Sequence, residues 1–184
     1  MLHEFSVRLS KHIVTQSSSL TEDQTDLIRY AIETMLGELS KLVILSLLFG
    51  IANSLGAFWI SFLYFSILRL LAGGFHFKTY FSCLIGSAVM YGAIILGASF
   101  SFIPLSLALI TSIIILHRYT PVIPLNRREL IADTVRKKRV ETAIAVSTLF
   151  AFSLYAGQLQ LFTYTLFIFS LQLWLGGFRN ETVL

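Results

Sequence analysis

Residues 79–117 read TYFSCLIGSAVMYGAIILGASFSFIPLSLALITSIIILH, 39 positions without a Lys, Arg, Asp or Glu. A membrane-spanning helix needs roughly 20 apolar residues, so this stretch holds two, and Ser99 to Pro104 in its middle is turn-type sequence. Two further charge-free runs flank it: Leu42 to Leu68, of 27 residues, and Thr142 to Phe178, of 37. The first turns near Asn53-Ser54-Leu55-Gly56 and the last near Gly157-Gln158-Leu159-Gln160. The expected fold is all-α: a polytopic integral membrane protein of about six transmembrane helices in three hairpins.

Composition agrees. Only 13% of the 184 residues are charged, about half the share usual in soluble domains, and the mean hydropathy is +0.77. The net charge of +4 lies in the segments between apolar runs. None of these is long enough to form a basic domain for nucleic acid. With Cys83 as its one cysteine, the chain has no intramolecular disulfide. The first long apolar run begins at Leu42, beyond the position of a signal peptide's core, so the first span is expected to act as an uncleaved insertion signal.

Residues 1–40 are expected to form amphipathic helices on the membrane surface, ahead of a membrane region over 41–184; the whole chain, 1–184, reads as a single membrane domain. Leu2, Phe5, Leu9 and Ile13 fall at helical spacing. Thr21 and Gln24 have the form of a capping box ahead of a stripe of Leu27, Ile28, Ala31, Met35 and Leu39. In the six-span layout all 14 Lys and Arg fall on one side, half of them in the basic loop 117–141. The positive-inside rule then makes both termini and both charged loops cytoplasmic.

Chemistry centres on the segment Arg69-Leu-Leu-Ala-Gly-Gly-Phe-His76-Phe-Lys78-Thr-Tyr-Phe-Ser-Cys83. On one continuous helix, His76 and Cys83 would lie about 10 Å apart along the axis, too far for a nucleophile and its base. Gly73-Gly74 permits the chain to leave the helix and re-enter near Thr79 or Tyr80. Cys83 would then sit in or just beyond a first helical turn, where the helix dipole, Lys78 and Arg69 all favour a thiolate. By spacing alone, a lone membrane cysteine is more often an apolar filler, and an interfacial His a polar anchor. His3, His12 and His117 are scattered, and no metal-ligand cluster or cofactor motif is present. The downstream stretch His117-Arg118-Tyr119-Thr120-Pro121, with Arg127, Arg128 and Arg136 to Arg139, reads as a topology-setting contact with anionic headgroups or as a dock for an acidic peptide tail.

Arg69, Ala72, Gly74, His76 and Cys83 between hydrophobic spans, with Tyr119-x-Pro121 and a basic cluster downstream, resemble the accessory gene regulator protein B family of quorum-sensing peptidases. The likeness extends over essentially the whole chain. It departs at Val122-Ile123-Pro124, where small residues and Thr are expected. The resemblance implies a membrane cysteine endopeptidase of the bacterial cell membrane, active at its cytoplasmic face. Its substrate would be a small amphipathic signal-peptide precursor, cleaved before its C-terminal tail and cyclised to a thiolactone or lactone. By similarity Cys83 is the nucleophile and His76 the general base, with Arg69 and Gly74 in support and no cofactor. Lys78, Arg127 and Arg128 are the expected substrate contacts. The alternative is a small transporter or peptide exporter. Such proteins place charged or strongly polar groups at mid-membrane, whereas only the amides Asn53, Gln158, Gln160 and Gln172 interrupt these runs. Gly86, Ala88, Gly92 and Gly97 would permit close helix packing, which leaves room for a homodimer.

Overall fold

The computed structural model describes residues 22–73, 79–121 and 132–180. The described residues form six helices: α1 (Glu22–Ile51), α2 (Leu55–Ala72), α3 (Tyr80–Phe100), α4 (Leu105–Tyr119), α5 (Ala132–Tyr155) and α6 (Leu159–Asn180). Breaks fall within or beside all three charge-free turn clusters. Asn53 adopts φ 54° and Gly157 φ 67°, left-handed values that short polar residues and glycine accept at least cost. Pro104 caps the start of α4, and Ser101, also left-handed, ends α3 with its N–H on the Gly97 carbonyl.

The chain divides into two compact units, residues 1–52 and 53–184. In the first, α1 is continuous over 30 residues. The sequence reading separates a surface helix ending near Leu39 from a span beginning near Leu42, but no proline or turn pair interrupts Leu36 to Leu42. The one glycine there, Gly37, is tolerated in a helix at a cost of about 1 kcal/mol. Thr34 Oγ1 donates to the Tyr30 carbonyl (2.8 Å) and Ser40 Oγ to the Gly37 carbonyl (2.9 Å), so both hydroxyls are satisfied within the helix. The apolar part therefore runs from Tyr30 to Ile51, 22 residues. That is about 33 Å at 1.5 Å per residue, enough to cross a bilayer. The other expected surface helix, Leu2 to Ile13, lies outside the described residues, as does Thr21 of the capping box.

In the second unit α6 is the hub: α2, α3, α4 and α5 all pack on it. Phe162, Leu166, Phe169 and Leu173 are fully buried along it. Phe65 of α2 meets the Phe169 ring edge-on at 5.3 Å and the Tyr91 ring of α3 at 5.8 Å, and Tyr64 of α2 meets Phe162 at 5.3 Å. Such edge-to-face pairs are favoured by the ring quadrupole. Small hydroxyl residues of α6 are buried too. Thr163, Thr165 and Ser170 donate to the carbonyls of Leu159, Leu161 and Phe167 at 2.7–2.8 Å, so their hydroxyls enter the interior already satisfied.

The outer faces are apolar. Leu55, Trp59, Leu63, Ile67 and Leu70 form an exposed stripe on α2, and Phe81, Ile85, Val89, Leu96 and Phe100 another on α3. A protein in water would not present such stripes; facing lipid they need no cover. Among the described residues, four helical stretches are long and apolar enough to span: Tyr30–Ile51, Leu55–Ala72, Tyr80–Phe100 and Leu159–Gly176. Helix α4, with 15 residues, is a shorter apolar helix. Helix α5 begins with the basic residues that the sequence reading assigns to a loop over 117–141. Arg136 to Arg139 are good helix formers, and Lys137 pairs with Glu141 one turn on at 4.0 Å. Helices α4 and α5 thus take in residues 117–119 and 132–141 of that segment. The chain is an all-α, multi-pass membrane protein.

Candidate functional site

Helix α2 ends at Ala72 because Gly73 turns out of it. Gly73 donates its N–H to the Arg69 carbonyl (3.0 Å) and takes φ 80°, ψ −155°, a conformation open in practice only to glycine. A side chain at this position would force the chain onto another path. Arg69 itself sits in the last turn of α2, half-buried.

Helix α3 begins again at Tyr80, as the Gly-Gly pair and the following Thr predict. Thr79 is the N-cap, extended at φ −119°, ψ 152°, and its hydroxyl accepts the Ser82 N–H at 3.3 Å. The Ser82 hydroxyl closes the turn, 2.8 Å from Thr79 Oγ1 and 3.0 Å from the Thr79 carbonyl. Cys83 is the fourth helical residue, and its N–H makes the first α-helical bond, to the Thr79 carbonyl at 3.0 Å. The N–H groups of the residues just before it belong to the donor-rich positive end of the helix. Cys83 is half-buried there.

The non-helical residues Gly73 and Thr79 separate α2 from α3, so His76 and Cys83 do not share one helix. The link from Gly73 to Thr79 spans six Cα–Cα steps, at most about 21 Å when fully extended. The C-terminal end of α2, bearing Arg69, is therefore tethered to the N-terminal end of α3, bearing Cys83. His76, Gly74 and Lys78 lie outside the described residues, as do Arg127 and Arg128.

At the start of the second basic segment, Thr120 ends α4 with its N–H on the Leu116 carbonyl (3.0 Å), and its own carbonyl accepts from Arg139 Nε of α5 at 2.8 Å. Sequence reasoning did not single out Thr120 or Arg139 for this contact. Its only signal is an arginine on the helix after a Thr-Pro break, and the acceptor is a backbone atom 19 residues away.

Over 96 residues the chain is 34% identical to a protein of Clostridium beijerinckii named AgrB-like; the match covers 52% of this chain and 48% of that protein. The chain thus spans about half the length of that relative. No solved structure matches the chain. The family model for accessory gene regulator B matches residues 6–176, nearly the whole length, and the chain belongs to that family.

Proposed function

We propose that the chain is a membrane cysteine endopeptidase of quorum-sensing peptide processing, with Cys83 as nucleophile and His76 as its base. Membership of the accessory gene regulator B family supports the processing role. The observation that carries the catalytic reading is the place of Cys83 in the opening turns of α3, beyond a glycine that ends α2. In sequence, His76 falls between that glycine and the thiol.

The substrate is a small amphipathic precursor lying at the cytoplasmic leaflet. Cys83 Sγ attacks the carbonyl carbon before the precursor's C-terminal tail, and His76 takes the thiol proton. The C–N bond then breaks as His76 returns that proton to the departing amine. The product of this half-reaction is a thioester between Cys83 and the precursor's N-terminal part, with the tail released. A Cys or Ser side chain within the precursor attacks the thioester, closes the ring and restores the Cys83 thiol. Thioester exchange is close to energy-neutral, so the site needs water excluded more than it needs driving force, and the membrane edge provides that. Arg69 supports the developing oxyanion or draws in the tail, Gly74 is a supporting residue by family likeness, and Lys78, Arg127 and Arg128 hold an acidic tail.

The test replaces Cys83 with Ala and with Ser in membranes containing the precursor and follows tail release by mass spectrometry. Loss of a nucleophile should lower turnover by about 10³-fold or more. His76→Gln should likewise stop accumulation of the thioester. Cleavage by Cys83→Ala at the original rate would remove the mechanism.

A further inference from the structure

A cavity of about 250 Å³ opens between the C-terminal end of α4 and the N-terminal half of α5. His117 and Arg139 give its lining a polar end; Ile113, Ala143 and Val146 are apolar, and Thr142 and Ser147 beside them donate their hydroxyls to carbonyls of their own helix. Arg139 is held in place by the bond from its Nε to the Thr120 carbonyl. That commits one of five guanidinium donors and leaves the terminal fork, the part that grips a pair of anionic oxygens. Thr120 is 97% buried, at 3% relative exposure, and its Oγ1 has no hydrogen-bond partner among the described residues. That hydroxyl is enclosed by the protein, so Thr120 forms part of the cavity wall and its carbonyl fixes the arginine. Arg118, Arg136 and Lys138 on the same two helices add positive charge nearby.

The helix lengths indicate which anion arrives there. Helix α4 has 15 residues, and the apolar part of α5, Thr142 to Tyr155, has 14. At 1.5 Å per residue each covers only about 21–22 Å, against a hydrocarbon core of about 30 Å. Beside helices this short the bilayer thins, which brings lipid phosphates down to the last turn of α4 and to Arg139. The cavity also faces that lipid, because its lining residue Ile113 and the neighbouring Ile114 and Ile144 are exposed. A peptide carboxylate would occupy the cationic part and leave the apolar part uncovered. A phospholipid carries its own hydrocarbon in with the phosphate.

We infer that this cavity holds one anionic phospholipid, its phosphodiester on Arg139 and His117 and its first acyl carbons against Ile113, Ala143 and Val146. The site shares no residue with the Cys83 segment and does not depend on the peptidase reading. Its selectivity for a net negative headgroup comes from the surrounding basic residues.

The full chain, purified in mild detergent and mixed with phosphatidylglycerol and phosphatidylcholine, would be examined by native mass spectrometry. The expected result is one retained phosphatidylglycerol per chain, in preference to phosphatidylcholine. Arg139→Gln should weaken retention by about tenfold, the order for losing a charge-assisted contact. Ala143→Leu, which fills the apolar part from an exposed position and keeps every charge, should weaken it to a similar degree. Equal retention of the two lipids, or wild-type retention by both variants, would overturn the site. Displacement of the lipid by inorganic phosphate would make it a free-anion site, and displacement by a soluble oligoglutamate would make it a peptide dock; either result would also overturn it.

Discussion

Helices α3 and α6 reverse the rule that governs proteins in water. The spanning window of α3 is the most apolar of the four among the described residues, with mean hydropathy 1.9, yet only 17% of it is buried; that of α6 is less apolar than those of α1, α2 and α3, at 1.3, and 61% of it is buried. In a bilayer both environments are apolar, so burial carries no transfer gain and hydropathy does not mark the core. What distinguishes α6 is fit: rings that meet edge-on, and small hydroxyl residues that satisfy themselves on their own helix. Helix α3 meets lipid with long aliphatic side chains and approaches α6 closely at one small residue, Gly97.

That meeting point is the sharpest way to break the contrast. A Cβ built on Gly97 would lie 2.4 Å from Cδ1 and 2.7 Å from Cε1 of the Tyr164 ring. The ring cannot simply swing aside, because its hydroxyl donates to the Ile103 carbonyl (2.8 Å) and accepts the Ile103 N–H (3.0 Å), pinning it to the α3–α4 turn. Gly97→Ala should therefore destabilise the bundle by about 1–3 kcal/mol, as overpacking does, read as a lower midpoint of SDS unfolding in mixed micelles. An unchanged midpoint would mean that α3 and α6 are not packed as closely as Gly97 indicates.

Tyr164→Phe isolates the polar half of the same contact. The ring stays and the fit to Gly97 is untouched, but the Ile103 N–H and carbonyl lose their partner inside the protein. The expected loss is about 1–2 kcal/mol by the same measurement, smaller than the steric effect. Combined with Gly97→Ala, the two effects should not add, because both act on the placement of one ring.

Turns were legible in the sequence, whereas the packing partners were not. Asn53, Pro104 and Gly157 announce breaks because their backbone chemistry is local, and Thr79 announces the start of α3 in the same way. The helical state of Arg136 to Arg139 was hidden, since a drop in hydropathy reports the edge of the membrane and says nothing about helicity. The central position of α6 was hidden for a related reason: its Thr, Ser and Gln residues lower its hydropathy while being compatible with the interior. In the candidate site, the glycine break and the helical position of Cys83 could be read from residue type. The Arg139 contact could not, because it joins a side chain to a distant backbone carbonyl.

Val89 supplies the smallest effect and the control for the comparison. It lies on the outer stripe of α3, exposed, two residues before the buried Tyr91. In water, trimming such a residue would alter how much apolar surface meets solvent. In the bilayer its side chain faces hydrocarbon whether or not the helices are packed together, so Val89→Ala should shift the unfolding midpoint by no more than about 0.5 kcal/mol. A loss of more than 1 kcal/mol, the range of a buried contact, would show that this face is covered by something other than lipid. Gly92, whose added Cβ would meet nothing within 4 Å, is close enough on α3 for a second copy of the chain to be that cover. Gly92→Leu would then cost stability as well, and only at protein concentrations where the two copies meet.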